Sequence, residues 1–307
     1  MKKIKILCVT PVKHLQGIYE KLESFGEVCY HPSINKHDFK FLFMNYYDVI
    51  FCNPNKQNYV LDRQTLRNFK GVIITASTGL NHIDLNYCNK NNIKVLSLKN
   101  DYDLINDLPS TAELAFGLML SILRNIPSGF NDVKNNGWDY DKFIGHQLKD
   151  KTIGIIGYGR LGKMMKKYCE AFGMITIIDD PYEGYNNLDL LKSESDIISL
   201  HVHANKETHH MIDKKFLDCI KENSYIINTS RGEIVNEKDI IQSLKYGNLK
   251  GYAADVIEDE YSDRENSPIL KGIKDKLNII ITPHVGGMTW EGQQKAYNHA
   301  IEKMKEL

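Results

Sequence analysis

KTIGIIGYGRLGKMMKKYCEAFGMITIIDDP, residues 151–181, decides how the rest of the chain is read. It opens on an apolar run of strand length, Ile153 to Ile156. A glycine turn follows, Gly157-Tyr158-Gly159-Arg160-Leu161-Gly162. Lys163 to Phe172 contains neither Pro nor Gly and predicts a helix. A second apolar run, Ile175 to Ile178, ends on Asp179-Asp180-Pro181.

Strand, glycine turn, helix, strand and acid in this order are what a dinucleotide site requires. Gly157 permits a tight turn after the strand, Gly159 lets the backbone approach a pyrophosphate, and Gly162 lets the helix lie close to the strands. The helix N-terminus offers unpaired N–H groups to the phosphates. Asp180 stands 180 − 159 = 21 positions after the middle glycine. A carboxylate there accepts bonds from ribose hydroxyls and repels a 2′-phosphate, which favours NAD over NADP. Three glycines alone would mark only a turn; their flanking elements carry the reading.

The 307 residues are enough for two domains, and 42% hydrophobic with 25% charged residues is a globular composition. Lys+Arg and Asp+Glu balance at 39 each, so no basic field points to nucleic acid or a membrane surface. No apolar segment approaches the ~18 residues of a membrane span. The start, MKKIKILCVTP, is too short in its apolar run for a signal peptide and reads as a first strand. Cys8, Cys29, Cys52, Cys88, Cys169 and Cys219 form no C-x-x-C pair and lie mostly in apolar runs. This predicts buried thiols in a reducing, cytoplasmic setting.

Residues 1–100 alternate strand and helix. Strands are predicted at Lys5–Thr10, Glu27–His31, Asp48–Cys52, Val72–Thr75 and Lys94–Leu98, and helices at Leu15–Phe25 and Asp84–Lys90. Residues 109–124, PSTAELAFGLMLSILR, predict an apolar helix buried between domains, with Ser110 or Thr111 as cap and Glu113 completing a capping box. Residues 125–150 are polar and turn-rich, with Trp138, Tyr140 and Phe143 interspersed. They read equally as an arm for a second subunit and as a surface loop. Later strands are predicted at Ile197–Val202, Tyr225–Asn228, Gly251–Val256 and Ile279–Thr282, and a last amphipathic helix at Glu291–Lys305.

In an open parallel sheet, ligands bind beyond the carboxyl ends of the strands. The strands here run into Thr229-Ser230-Arg231, into Asp255 with Glu258 and Glu260, and into Pro283-His284-Val285-Gly286-Gly287. An arginine, acids and a histidine on one rim suit hydride transfer to a ketone. The alkoxide needs a proton, which histidine supplies near neutral pH, and a carboxylate beside the ring favours its charged form. Arginine grips a substrate carboxylate through two parallel hydrogen bonds. Singly, Arg231 reads as a surface residue and His284 as a core histidine; their common position is the signal.

GYGRLG with IIDDP, HVHANKETHHMI, NTSRGEIVNE, GYAADVIEDE and ITPHVGG occur in the order of the D-isomer-specific 2-hydroxyacid dehydrogenases, and the chain resembles that family over roughly residues 72–292. The resemblance implies two doubly wound parallel α/β domains. The larger, a Rossmann NAD-binding domain at residues 101–288, would be inserted in a flavodoxin-like substrate domain formed by 1–100 and 289–307. It implies Arg231 as substrate-binding arginine, His284 as acid/base, and Glu260, rather than Glu258, as the partner of His284. Ser77, Thr78 and Gly79 would offer backbone N–H groups to the substrate carboxylate beside Arg231 and His284; independently, a glycine turn after a strand forms an anion nest. NAD contacts are implied for Thr78, Gly157, Gly159, Arg160, Leu161, Gly162, Asp180, Val202, Thr208, Thr229, Ser230, Arg231, Asp255, His284, Gly286 and Gly287, with Asp255 on the nicotinamide carboxamide. The expected partners are a small 2-oxo or 2-hydroxy acid and a second copy of the chain through helix 109–124 and the arm after it.

The chain departs from the family at His203, which stands where a proline is usual. Phosphate-binding members carry an arginine near Cys52-Asn53-Pro54-Asn55-Lys56, where Lys56 is the available cation. Asn53–Gln57 and Tyr102–Leu108 are expected to line the substrate side-chain pocket. His201, His203, His209 and His210 invite a metal reading, but no cysteine or acid stands at fitting spacing, and no metal is expected. Two other readings are a nucleotide-sensing corepressor on the same fold and a formate dehydrogenase. A sensor has no need of the Arg231, Glu260 and His284 set, and formate dehydrogenases pair the histidine with glutamine.

Overall fold

The computed structural model describes residues 3–54, 59–260 and 262–307. Asn55, Lys56 and Gln57, expected near the substrate side chain, lie outside the described residues. The chain divides into two compact units, residues 1–108 with 288–307, and 109–287.

The smaller unit is a parallel sheet of β1 (Ile4–Cys8), β2 (Gly26–Tyr30), β3 (Val49–Cys52), β4 (Val72–Thr75) and β5 (Lys94–Leu96), ordered β2-β1-β3-β4-β5. This is the flavodoxin-like order. Side chains alternate across it as a pleated strand demands. Ile6 and Cys8 face one core, with Ile18, Leu22, Phe51 and Ile74, while Leu7 and Val9 face the other, with Phe39, Ile50 and Ile73. Both faces are covered, which is why the strands read as continuous apolar runs.

The helix Trp290–Glu302 returns to this unit, placing Ala296, Tyr297, Ala300 and Ile301 in the first core. Residues 101–108 join it too, although the sequence placed them in the larger domain. Leu104 and Ile105 pack on the same core, and Lys303 donates to Asp101 at 2.9 Å. The first helix starts at Ile18 rather than Leu15, because Gly17 holds φ 72. Beyond β3, Asn53 Nδ2 donates to the Tyr297 hydroxyl at 3.0 Å, and that hydroxyl lies 3.1 Å from Thr10 Oγ1.

The larger unit contains β6 (Thr152–Ile156), β7 (Ile175–Asp179), β8 (Ile197–Leu200), β9 (Ser224–Asn228), β10 (Leu249–Ala254) and β11 (Ile279–Ile281). Its parallel order, β7-β6-β8-β9-β10-β11, reverses direction between β6 and β8. That switch is the place where a doubly wound sheet opens a crevice. Alternation again builds two cores, Ile156, Ile198, Leu200 and Ile226 on one side and Ile153, Ile155, Ile197 and Ile227 on the other.

The apolar helix runs Ser110–Leu123, and its cap differs from expectation. Pro109 occupies the cap position without a side-chain bond, and its carbonyl accepts from Glu113 N, so no capping box forms. Ala115, Leu118, Met119, Ile122 and Leu123 lie in the second core of their own unit. A further helix, Ile126–Lys134, occupies the first part of the expected arm. Pro127, which reads as a breaker, sits in its first turn, where no N–H is needed. Of the cysteines, Cys8, Cys52, Cys88 and Cys169 are buried free thiols, while Cys219 is exposed.

The turn after β4 is fixed by a buried histidine. His82 Nε2 lies 3.0 Å from Thr75 Oγ1, which lies 2.9 Å from Ser77 Oγ, which donates to Gly79 O at 2.8 Å. Burial pushes His82 down to about 4, so the ring is neutral in the folded chain. Its folded value lies below its unfolded one, so the unfolded chain takes up the proton first as pH falls. The contribution is complete above the unfolded value and is lost as pH falls from about 6.5 toward 4. It amounts to about 3 kcal/mol at the acid limit. The urea midpoint should fall across this window, and His82→Gln should flatten the fall; an equally steep fall in the variant removes His82 as its source. His201 in the larger unit, held at about 4 by burial, leaves a residual slope.

Candidate active site

The glycine turn leaves β6 through Gly157 at φ 92, a backbone that side chains rarely adopt. A Cβ there would lie 2.7 Å from the His201 carbonyl, and a Cβ on Gly162 would lie 2.1 Å from the Gly157 oxygen. Gly159 is different: nothing lies within 4 Å of where its Cβ would project. Gly157 and Gly162 are therefore demanded by packing, whereas Gly159 leaves open space above the turn. Gly159 is also the cap of the helix Arg160–Ala171, whose first turn includes Arg160, Leu161 and the buried Gly162.

Asp180 follows β7, and its carboxylate reaches back to the turn. Oδ2 accepts from Tyr158 N at 2.7 Å, and Oδ1 accepts from Tyr182 N at 3.1 Å. The acid expected to read the ribose thus borders the glycine loop. The loop beyond β8 borders it too, since Val202 Cγ1 lies 2.9 Å from the position of a Gly157 Cβ. Thr208 closes that loop, donating to His203 O at 2.6 Å and accepting from Asn205 N at 2.9 Å.

Beyond β9, buried Asn228 shapes the next segment. Its Oδ1 accepts from Ser230 N at 3.0 Å and its Nδ2 donates to Arg231 O at 2.9 Å. Ser230 Oγ donates to Leu200 O at 2.8 Å, tying β9 to β8. The Arg231 guanidinium donates to Ser230 O at 2.6 Å. The Thr229 hydroxyl is buried and has no hydrogen-bond partner among the described residues.

Asp255 follows β10 directly and organises the turn that follows β11. It accepts from Val285 N at 2.8 Å, from Gly286 N at 2.7 Å and from the Thr282 hydroxyl. Burial raises its carboxyl above the ordinary aspartate value, and these bonds pull the other way. The turn sets His284 at φ 55, a left-handed conformation, with its N–H donated to Asp255 O at 2.9 Å. His284 Nδ1 then lies 2.8 Å from Glu260 Oε1. Glu258 instead lies 2.7 Å from His210 Nε2.

Two supporting residues escaped the sequence reading. His82 is the first, through the Ser77–Gly79 turn. The second is Glu237, buried in the first turn of the helix Glu237–Tyr246. It accepts from Glu258 N at 2.9 Å and from Ser267 Oγ at 2.6 Å, anchoring the segment that leads to Glu260. Its signal was available, for Glu237 closes the NTSRGEIVNE motif.

These residues fit a dinucleotide. Open space above Gly159 and the helix N-terminus that begins there suit a pyrophosphate. Asp180 beside the turn suits a ribose diol, and the buried, unmatched Thr229 hydroxyl marks a polar contact still to be made.

Comparison with known proteins agrees. Residues 116–286 match the family described as D-isomer specific 2-hydroxyacid dehydrogenase, NAD binding domain. A hydroxypyruvate reductase of Thermotoga maritima is 34% identical over 253 residues, 78% of this chain and 78% of that protein. A D-3-phosphoglycerate dehydrogenase of Methanocaldococcus jannaschii is 34% identical over 247 residues, 77% of this chain but only 45% of that protein. The crystal structure of a D-lactate dehydrogenase from Aquifex aeolicus, complexed with NAD and lactic acid, is 26% identical. It superposes with a TM-score of 0.75, covering 98% of this chain and 94% of that one. The chain thus belongs to the D-isomer-specific 2-hydroxyacid dehydrogenases and is an NAD-dependent oxidoreductase of that family.

Proposed function

We propose that this enzyme passes a hydride between NADH and C2 of a small, unphosphorylated 2-oxo acid, in the size range of glyoxylate and hydroxypyruvate. The observation that carries the reading is the 2.8 Å contact of His284 with Glu260 on the rim that also presents Arg231. NADH supplies the hydride. His284 gives its Nε2 proton to the developing alkoxide, while Glu260 on Nδ1 orients the ring and stabilises its charged form. Arg231 grips the substrate carboxylate, which its guanidinium can do bidentately after leaving the Ser230 carbonyl. We take the smaller unit as the substrate domain and the larger one as the cofactor domain. The hydroxypyruvate reductase relative supports the size of the substrate.

We place the enzyme in the cytoplasm, in keeping with its buried free thiols; no helix among the described residues is long and apolar enough to cross a membrane. It acts as a homodimer through the arm after the apolar helix, where Phe130 is 69% and Trp138 84% exposed. Exposed apolar clusters of this kind mark interaction surfaces.

NADH oxidation should be followed with glyoxylate, hydroxypyruvate, pyruvate, 2-oxoglutarate and 3-phosphohydroxypyruvate in parallel. Turnover is expected with the small unphosphorylated acids, and His284→Ala should lower it roughly 10²–10⁴-fold; a variant of near-normal rate removes His284 as the acid. Asp180→Ala should erode the preference for NADH over NADPH, since the carboxylate that repels a 2′-phosphate is gone; an unchanged ratio places ribose recognition elsewhere. Phe130→Glu with Trp138→Ala should sediment as a monomer. A dimer that survives both changes does not use the arm.

A further inference from the structure

The fold brings together three metal-binding side chains that the sequence leaves far apart. His209 and His210 lie in the loop after β8, and Glu258 lies 48 positions beyond His210, after β10. His210 Nε2 is 2.7 Å from Glu258 Oε1. The rings of His209 and His210 stack with centroids 4.0 Å apart and planes within 19°. Consecutive side chains in extended backbone point to opposite sides. Here His210 takes φ 51, and the left-handed turn leaves both imidazoles on one side. One donor atom from each of the three lies within 4.8 Å of the others. No acid stands at a fitting spacing from these histidines in sequence; Glu258 reaches them only through the fold.

The scaffold beneath this cluster is fixed. His210 N donates to Glu233 O at 2.8 Å, and Glu258 N donates to buried Glu237 at 2.9 Å. The adjoining depression, about 360 Å³, has Glu237, Asp259 and Asp263 in its lining, with Lys238 as the one lysine among the described lining residues. Its surroundings therefore favour a cation.

The geometry points to a site for one divalent transition-metal ion, Zn²⁺ before others, held by His209, His210 and Glu258 with water in the remaining position. Two imidazole nitrogens and a carboxylate are a donor set that zinc accepts in tetrahedral array. Calcium and magnesium prefer oxygen alone. Bonds of about 2.0–2.2 Å place neighbouring donors about 3.3 Å apart. Glu258 and His210 need only ease apart from their hydrogen bond, and exposed His209 turns inward. An ion there ties the loop after β8 to the segment that carries Glu260, so it reaches the proposed chemistry through position. That consequence rests on the proposed function; the binding does not.

The test uses the whole chain without a histidine tag, titrated with Zn²⁺ against a chromophoric chelator. One equivalent should bind at micromolar concentration, and Co²⁺ should give the visible absorption of a four- or five-coordinate site. The paired change His209→Ala with His210→Ala, and Glu258→Gln alone, should each weaken binding by about tenfold or more and remove the cobalt bands. Glu258→Gln can keep a hydrogen bond to His210, which guards against loss of fold. His203→Ala should bind as the parent does. No bound equivalent, or one whose affinity none of these changes moves, overturns the site; both results leave the dehydrogenase assay untouched.

Discussion

The rim of the larger unit depends on one buried carboxylate. Asp255, 2% exposed, takes bonds from Val285 N, Gly286 N and the Thr282 hydroxyl. A charge so placed is costly unless matched, and the match here is the turn that holds His284. The turn in turn accepts a left-handed residue at 284, a strain that persists only where the surroundings over-determine it. Asp255 is placed by β10, which runs between β9 and β11 in the parallel sheet. Strand order, buried acid and histidine orientation form one chain of dependence. Removing the acid would release the histidine before it touched any ligand.

The same segment shows how one backbone rotation divides chemistry. Glu258 and Glu260 are two apart, a spacing that in a regular strand directs both side chains to one face. Between them Asp259 takes φ 54. Alternation breaks there, and the two carboxylates diverge to His210 and to His284. Glu237 holds the start of this segment from below through Glu258 N. Two histidine–glutamate pairs thus emerge from three consecutive residues and a buried anchor.

The fold was legible because both sheets are covered on both faces, so most strands announce themselves as apolar runs. The glycine turn was legible because Gly157 and Gly162 have no steric alternative. Local competition hid other features. Pro127 and Gly129 masked the helix Ile126–Lys134, and Pro109 displaced the capping box that Ser110 and Glu113 promised. Contacts distant in sequence were invisible. Asp101 meets Lys303 across 202 positions, and that pairing helps carry residues 101–108 into the smaller unit. The choice of Glu260 over Glu258 came from resemblance, since residue spacing has no way of foreseeing the turn at Asp259.

Four histidines of this chain show why residue type alone did not identify the chemistry. His82 is buried and the Nδ1 atom of His201 is buried with it, and desolvation drives each ring to about 4. Neutral rings there serve as hydrogen-bonding struts, His82 to Thr75 and His201 to Ser199 at 2.9 Å. His210 and His284 are only partly buried, and each faces a glutamate, at 2.7 and 2.8 Å. A carboxylate at that distance orients the ring, or completes a ligand set with it. The partition follows from what each ring meets: His82 and His201 face a hydroxyl of the strand they follow, whereas His210 and His284 face glutamates of the segment after β10.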